Sequence, residues 1–203
     1  MILRLKYESK NENLVLRKYY EEVHVMEYAE IIEFHGHECP GLAMGYRMAL
    51  AGMEVLNALR SEDEEIVAIV ENDACGVDAL QCVTGCTFGK GNLIFKDYGK
   101  HSYTLYSRKT GKGVRVLFHG NGIPEDMKEN REQLSRFILQ APESEILSLK
   151  EVLMETPEPA RLHDSVYCDI CGENVMVTRT RDLDGRRVCI PCAEKAERAL
   201  PND

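Results

Sequence analysis

Apolar residues recur at helical spacing in the first part of the chain. From about Tyr20 to Phe34, Val25, Ala29 and Ile32 follow the period, and in "GLAMGYRMALAGMEVLNALR", beginning at Gly41, Leu42, Gly45, Ala49, Met53 and Leu56 repeat it. Both stretches predict helices. The small residues Ala43, Gly45, Ala49 and Gly52 in the second allow a neighbouring helix or strand to approach closely. The pattern then changes. The β-branched run Ile66 to Val70, bounded by charges, predicts a buried strand, and "GVDALQCVTG" after it a short helix. Asn92 to Asp97, Ser102 to Ser107 and Val114 to Phe118 predict further strands, with "RKTGKGVR" as a hairpin turn. Pro124 opens a predicted helix to Gln140, and Pro142 another to about Glu155. Helices flanking a mostly antiparallel sheet make the fold class α+β.

"ETPEPARLHDS" has two prolines within three residues and no apolar period, which reads as a linker. It separates a core domain, 1–155, from a small unit, 163–203. The formal net charge of −9 argues against nonspecific nucleic-acid or anionic-membrane binding, both of which need a basic face. The N-terminus lacks the continuous apolar segment of a secretory signal, and no stretch reaches 18 apolar residues, so the expected location is the cytoplasm, without a membrane partner. In that compartment eight cysteines suggest metal ligands or reactive thiols before disulfides.

Four of them close the chain. "CDIC" and "CIPC" place Cys168 with Cys171 and Cys189 with Cys192, separated by 17 residues, a spacing suited to a four-thiolate structural Zn2+ site. Val175 and Val177 suggest a strand, Asp184-Gly185 a turn, and "AEKAERAL" a helix with the last ligand at its N-terminus, which is a treble-clef arrangement. So short a unit cannot bury a sufficient core, and metal supplies the missing folding energy. Its six Lys/Arg against eight Asp/Glu disfavour DNA. Arg179, Arg181, Arg186 and Arg187 cluster on the expected hairpin, where they suit either a solvated strand edge or a protein partner.

The other concentration of chemistry is "FHGHECPG". Pro40 suits the first position of a helix, which makes Cys39 its N-cap, and in an extended loop His35 and His37 would point the same way, toward Cys39. Cys75 is expected at the end of the Ile66 to Val70 strand, near Asp73 and Asp78. Thiolate with imidazole favours zinc or a similar transition metal, so His35, His37, Cys39 and Cys75 form a candidate core site for a second metal. Cys82 and Cys86 read as buried apolar residues. The alternative is an enzyme with Cys39 as thiolate nucleophile, His37 or His35 as base, and the backbone of "GCTFGKG" as an anion cradle.

"FHGHECPGLAMGYRMA", "DACGVDALQCVTGCTFGKGNL" and "DYGKHSYTLY" together resemble the family of the formylmethanofuran dehydrogenase E subunit, over about residues 25 to 150, and the finger resembles that of members with a C-terminal treble clef. The resemblance implies an α+β core, often in an intertwined dimer, in a family first associated with the molybdenum or tungsten enzyme that makes formylmethanofuran in methanogenesis. The family's motifs fall on His35, Gly36, His37, Cys39, Pro40 and Gly41, on Cys75, Asp78 and Ala79, and on Thr84 to Gly91. The expected function is a metal-binding accessory or regulatory protein: a homodimer with a core pocket for a metal or small-molecule ligand and a finger for partner contacts.

Overall fold

The structure is a computed structural model that describes residues 26–198. It divides into two compact units that meet between Pro159 and Ala160. In the first, α1 (Tyr28–His35) and α2 (Pro40–Leu56) precede β1 (Ile66–Val70), α3 (Gly76–Thr84) and β2 (Leu93–Phe95). The hairpin β3 (Ser102–Ser107) and β4 (Lys112–Phe118) follows, then α4 (Arg131–Gln140), α5 (Glu143–Ile146) and β5 (Leu147–Val152). The expected first helix began at Tyr20; residues 20–25 lie outside the described part.

Five strands form one sheet in the order β2-β1-β3-β4-β5. Only β1 and β2 are parallel, with Val70 opposite Phe95, because α3 carries the chain back between them. The rest of the sheet is antiparallel.

The small residues of α2 act as expected. A Cβ on Gly52 would stand 2.7 Å from Leu105 Cδ1, and one on Gly45 would stand 2.1 Å from the carbonyl oxygen of Gly76. Without side chains there, α2 lies directly on β3 along one part of its surface and on the head of α3 along another. Leu42, Met48, Leu80, Leu105, Val114, Val116, Ile138 and Ile146 fill the resulting core. Full burial of each such side chain stabilises by roughly 1.5–3 kcal/mol. Arg47 on α2 fixes α4 from its other end, donating to the carbonyls of Ile138 (2.7 Å) and Ala141 (2.8 Å), which have no partner within the helix.

The expected helix from Pro142 to Glu155 is corrected. It stops at Ile146, and Leu147–Val152 pairs with β4 in register Val116 to Leu149. "SEILSLKEV" fits either period, with Ile146 and Leu149 at helical spacing and Leu147 and Leu149 alternating. The open hydrogen-bonding edge of β4 decides for the strand. The stretch from Pro124 is likewise a short 3₁₀ turn (Glu125–Met127) before α4, which Asn130 caps by accepting from the Gln133 N–H.

The second unit holds two antiparallel pairs, β6 (Ser165–Tyr167) with β7 (Asn174–Met176) and β8 (Thr180–Leu183) with β9 (Arg186–Cys189), and ends in α6 (Ile190–Arg198). Asp184 and Gly185 turn the second hairpin with φ of +54° and +78°, the left-handed pair that a two-residue connection requires. No described helix is long and apolar enough to cross a membrane.

Candidate metal centre

Two helices deliver the core cluster by their first residues. Cys39 is the N-cap of α2 and Cys75 that of α3, and the contact of Gly45 with Gly76 holds the two helix heads together. Gly41 completes the approach: a Cβ there would meet Cys75 Cβ at 3.3 Å and both sulfurs at 3.9 Å. The Cys39 sulfur accepts the Leu42 N–H at 3.4 Å and is buried.

The histidines come from a different device than an extended loop. His35 ends α1, and Gly36 leaves the helix at φ +92°, so the chain reverses and the two rings face each other with centroids 4.5 Å apart. One donor atom from each of His35, His37, Cys39 and Cys75 then lies within 4.8 Å of the other three. In tetrahedral zinc with these ligands the donor–donor edges are about 3.3–3.8 Å, so the set is little wider than a loaded site.

His35 carries the most specific evidence of fit. Its Nδ1 lies 2.7 Å from Asp78 Oδ2, and its Nε2 is buried without a hydrogen-bond partner. A carboxylate only accepts, so a neutral ring in this pair carries its proton on Nδ1 and its lone pair on the buried Nε2, the relay by which metal-binding histidines are oriented. Burial, and then the neighbouring Cys39 sulfur, push the Cys75 thiol up. Two adjacent sulfurs give up their protons together only if a cation joins them.

The same features tell against a free nucleophile. Cys39 is 2% exposed, and a substrate cannot reach a sulfur so enclosed without displacing the head of α2. Most N–H groups of "GCTFGKG", where the sequence suggests an anion cradle, already have partners within the loop. Those of Cys86, Thr87, Lys90 and Gly91 donate to Thr84 Oγ1, Asn92 Oδ1, Thr87 Oγ1 and the Phe88 carbonyl. Lys90 Nζ bonds the carbonyls of Ser61 (3.3 Å) and Glu62 (3.1 Å), while Asn92 reaches those of Asp63 and Ile66. The motif is a buckle that ties the loop after α3 to the approach to β1. Cys86 belongs to it through a bond to the Ile66 carbonyl, and burial pushes its thiol up to about 11; Cys82 is buried as expected.

Beside the core cluster lies a cleft of about 340 Å³ lined by His35, Cys75 and Asp78 with Val70, Phe88 and Phe95 among its other walls. It sits at the carboxyl ends of β1 and β2, where open sheets with a crossover helix commonly hold ligands. The sequence pointed to Asp73 and Asp78 by nearness to Cys75 but passed over Phe88, Phe95 and Gln81. Apolar residues at a loop and a strand end carry no signal until the fold shows them exposed.

The second cluster joins Cys168, Cys171, Cys189 and Cys192, again within 4.8 Å of one another. Cys171 and Cys189 sulfurs are 3.9 Å apart, against about 3.8 Å for the edge of a zinc–thiolate tetrahedron. N–H groups of Cys171 and Cys189 hold the Cys168 thiol down to about 6, whereas the Cys189 sulfur pushes Cys192 up to about 12. A divalent cation removes that conflict. Cys192 lies in the first turn of α6, at the helix N-terminus where the sequence places it.

Comparison with known proteins agrees with both units. Residues 34–156 match the family described as FmdE, molybdenum formylmethanofuran dehydrogenase operon, and residues 164–198 match the prokaryotic dksA/traR C4-type zinc finger. A solved FmdE-like protein of the tungsten formylmethanofuran dehydrogenase type, from Syntrophus aciditrophicus, is similar with a TM-score of 0.65 and 28% identity, over 86% of this chain and 97% of that one. A protein of Archaeoglobus fulgidus named probable S-adenosyl-L-methionine-binding protein is 35% identical over 190 residues, covering 79% of this chain. The chain spans about half the length of that curated relative. With its profile covering more than half of the sequence, the chain belongs to the FmdE family and ends in a C4-type zinc finger.

Proposed function

We propose that this protein is a metal-binding accessory protein whose core cluster holds a second zinc-like ion, in addition to the structural zinc of the finger, at the mouth of a small-molecule cleft. The observation that carries the reading is His35, with Nδ1 tied to Asp78 and a buried, unpartnered Nε2 beside two cysteine sulfurs. Such an ion, when bound, supplies a Lewis-acidic centre. His35, Cys39 and Cys75 form the inner side of the set and His37, which is exposed, the outer side. The protein's part is to orient these ligands and to keep the Cys39 sulfur from water.

Metal content tests the proposal. The parent should carry two ions per chain, Cys39→Ser one, and Cys168→Ser/Cys171→Ser one. A Cys39→Ser variant that still holds two would overturn the core site.

The name of the Archaeoglobus relative supports a small organic ligand as the occupant of the cleft. The family resemblance supports a homodimer, and the Arg179, Arg186 and Arg187 side chains exposed on the finger support a protein partner there; Arg181 is already engaged with Glu194 and Glu197 of α6. Two thiolate clusters in one chain suit the reducing cytoplasm. Light scattering for the oligomer, and capture with the intact chain against an Arg186→Glu/Arg187→Glu variant for the partner, test these two parts separately.

A further inference from the structure

We propose that the cleft beside the core cluster selects a small cation bearing a flat nitrogen heterocycle, with adenosyl sulfonium compounds as its representative class. This deepens the small-ligand reading above and does not depend on the metal reading. Nothing in the relative's name says where in that protein a ligand sits.

Charge gives the cleft its first preference. Asp73 and Asp78 line it, and no Lys or Arg does. The positive end of α3 would attract an anion, but Asp78 already occupies its first turn. An incoming phosphate or carboxylate would therefore meet two carboxylates with no Lys or Arg in the lining to offset them.

The side-chain oxygens still available point the same way. Asn72 is held at both ends of its amide, one N–H donating to the Lys100 carbonyl at 2.6 Å and its oxygen accepting the Ala74 N–H at 3.1 Å. Gln81 gives an N–H to Asp78 Oδ1 at 3.3 Å, and Asp78 Oδ2 serves His35. Among the side-chain oxygens, the amide oxygen of Gln81 and the exposed carboxylate of Asp73 are left. Both are acceptors. They ask for a ligand that donates protons or carries positive charge.

Shape narrows the class further. Phe88 and Phe95 both line the cleft and remain 63% and 40% exposed. Aromatic faces left open to water beside carboxylates suit stacking with a heterocycle and attraction of a cation at once. A volume of about 340 Å³ lies near the lower end of ligand sites and limits the occupant to a small molecule.

Calorimetry on the zinc-loaded full chain decides the matter with three probes: S-adenosyl-L-methionine, its neutral thioether S-adenosyl-L-homocysteine, and adenosine 5′-monophosphate. The sulfonium should bind tightest, with the neutral probe about fivefold weaker and the anion at least about tenfold weaker. Asp73→Asn should weaken the sulfonium by about fivefold and leave the thioether within about twofold, while Phe88→Ala weakens both by about tenfold. Both variants should keep the parent's zinc content, since neither residue belongs to the cluster. The anion binding as tightly as the sulfonium, no probe binding, or a Phe88→Ala effect on molecular mass in place of affinity would each overturn the proposal. Sulfonium binding to a parent with only the finger zinc would instead overturn the metal reading alone. Two zinc ions with no probe bound would overturn the cleft's ligand alone.

Discussion

Replacing Asp78 by alanine should weaken metal binding at the core cluster and leave the finger unchanged. Asp78 Oδ2 holds His35 Nδ1 at 2.7 Å, and with the carboxylate gone the imidazole can place its proton on the buried, unpartnered Nε2 that the proposed ion would need. Loss of such a supporting partner commonly lowers metal affinity about 10- to 100-fold, equivalent to about 1.4–2.7 kcal/mol. Asp78 also lies in the first turn of α3, so its removal costs a further ~0.3–1 kcal/mol of fold stability through the helix dipole. The two effects separate. Chelator competition reads the affinity, and urea unfolding of metal-stripped parent and variant reads the stability. Asp78→Asn keeps an acceptor for Nδ1–H and should fall between parent and Asp78→Ala in affinity. The relay is refuted if Asp78→Ala binds the core ion within about twofold of the parent, or if finger and core weaken together.

Gly45→Ala places a Cβ 2.1 Å from the Gly76 carbonyl oxygen and must part α2 from α3; a loss of about 1–3 kcal/mol or more in urea unfolding is expected, together with loss of the core ion. His35→Ala should lose the core ion outright, while His37→Ala, on the exposed side, should retain it with a faster exchange rate in a colorimetric chelator assay. Glu65 has its carboxyl held below the usual range by the Ser61 hydroxyl, 2.7 Å away, and by backbone N–H groups. A depressed folded pKa contributes stability above the unfolded value and loses it as pH falls through the folded one, so Glu65→Gln should lower Tm at neutral pH and match the parent in acid.

Much of this architecture follows from local pattern. The run Ile66 to Val70 is apolar on both sides because the strand is buried along its whole length, and Ser102 to Ser107 is similarly enclosed. The finger is legible because both knuckles and the turn between them are local features. Less legible are the elements whose outcome depends on a neighbour. Leu147 to Val152 becomes a strand because β4 offers an unpaired edge, and the loop at Thr84 to Gly91 looks like an anion cradle until most of its N–H groups are traced to partners such as Thr84, Asn92 and Phe88. For the core site the sequence named the four donors, but the reversal at Gly36 and the Asp78 relay are properties of the folded chain.

The two clusters therefore stand in different relations to folding, although their donor atoms are equally close. In the finger the metal ligands are also the core: Cys168 and Cys189 are buried with Val188 and Ala193, and little else supports them. Removing the ion removes most of what holds that unit together. In the core domain the two cysteine donors are delivered by α2 and α3, whose packing through Gly45 and Gly76 rests on a large apolar interior that exists without any ion. Chelation should accordingly abolish amide protection from Cys168 to Arg198 while β1, β3 and β4 keep theirs. On the proposed reading, a site that the fold holds open in this way would take up, release or exchange its ion without unfolding, which suits the core cluster, rather than the finger, to chemistry.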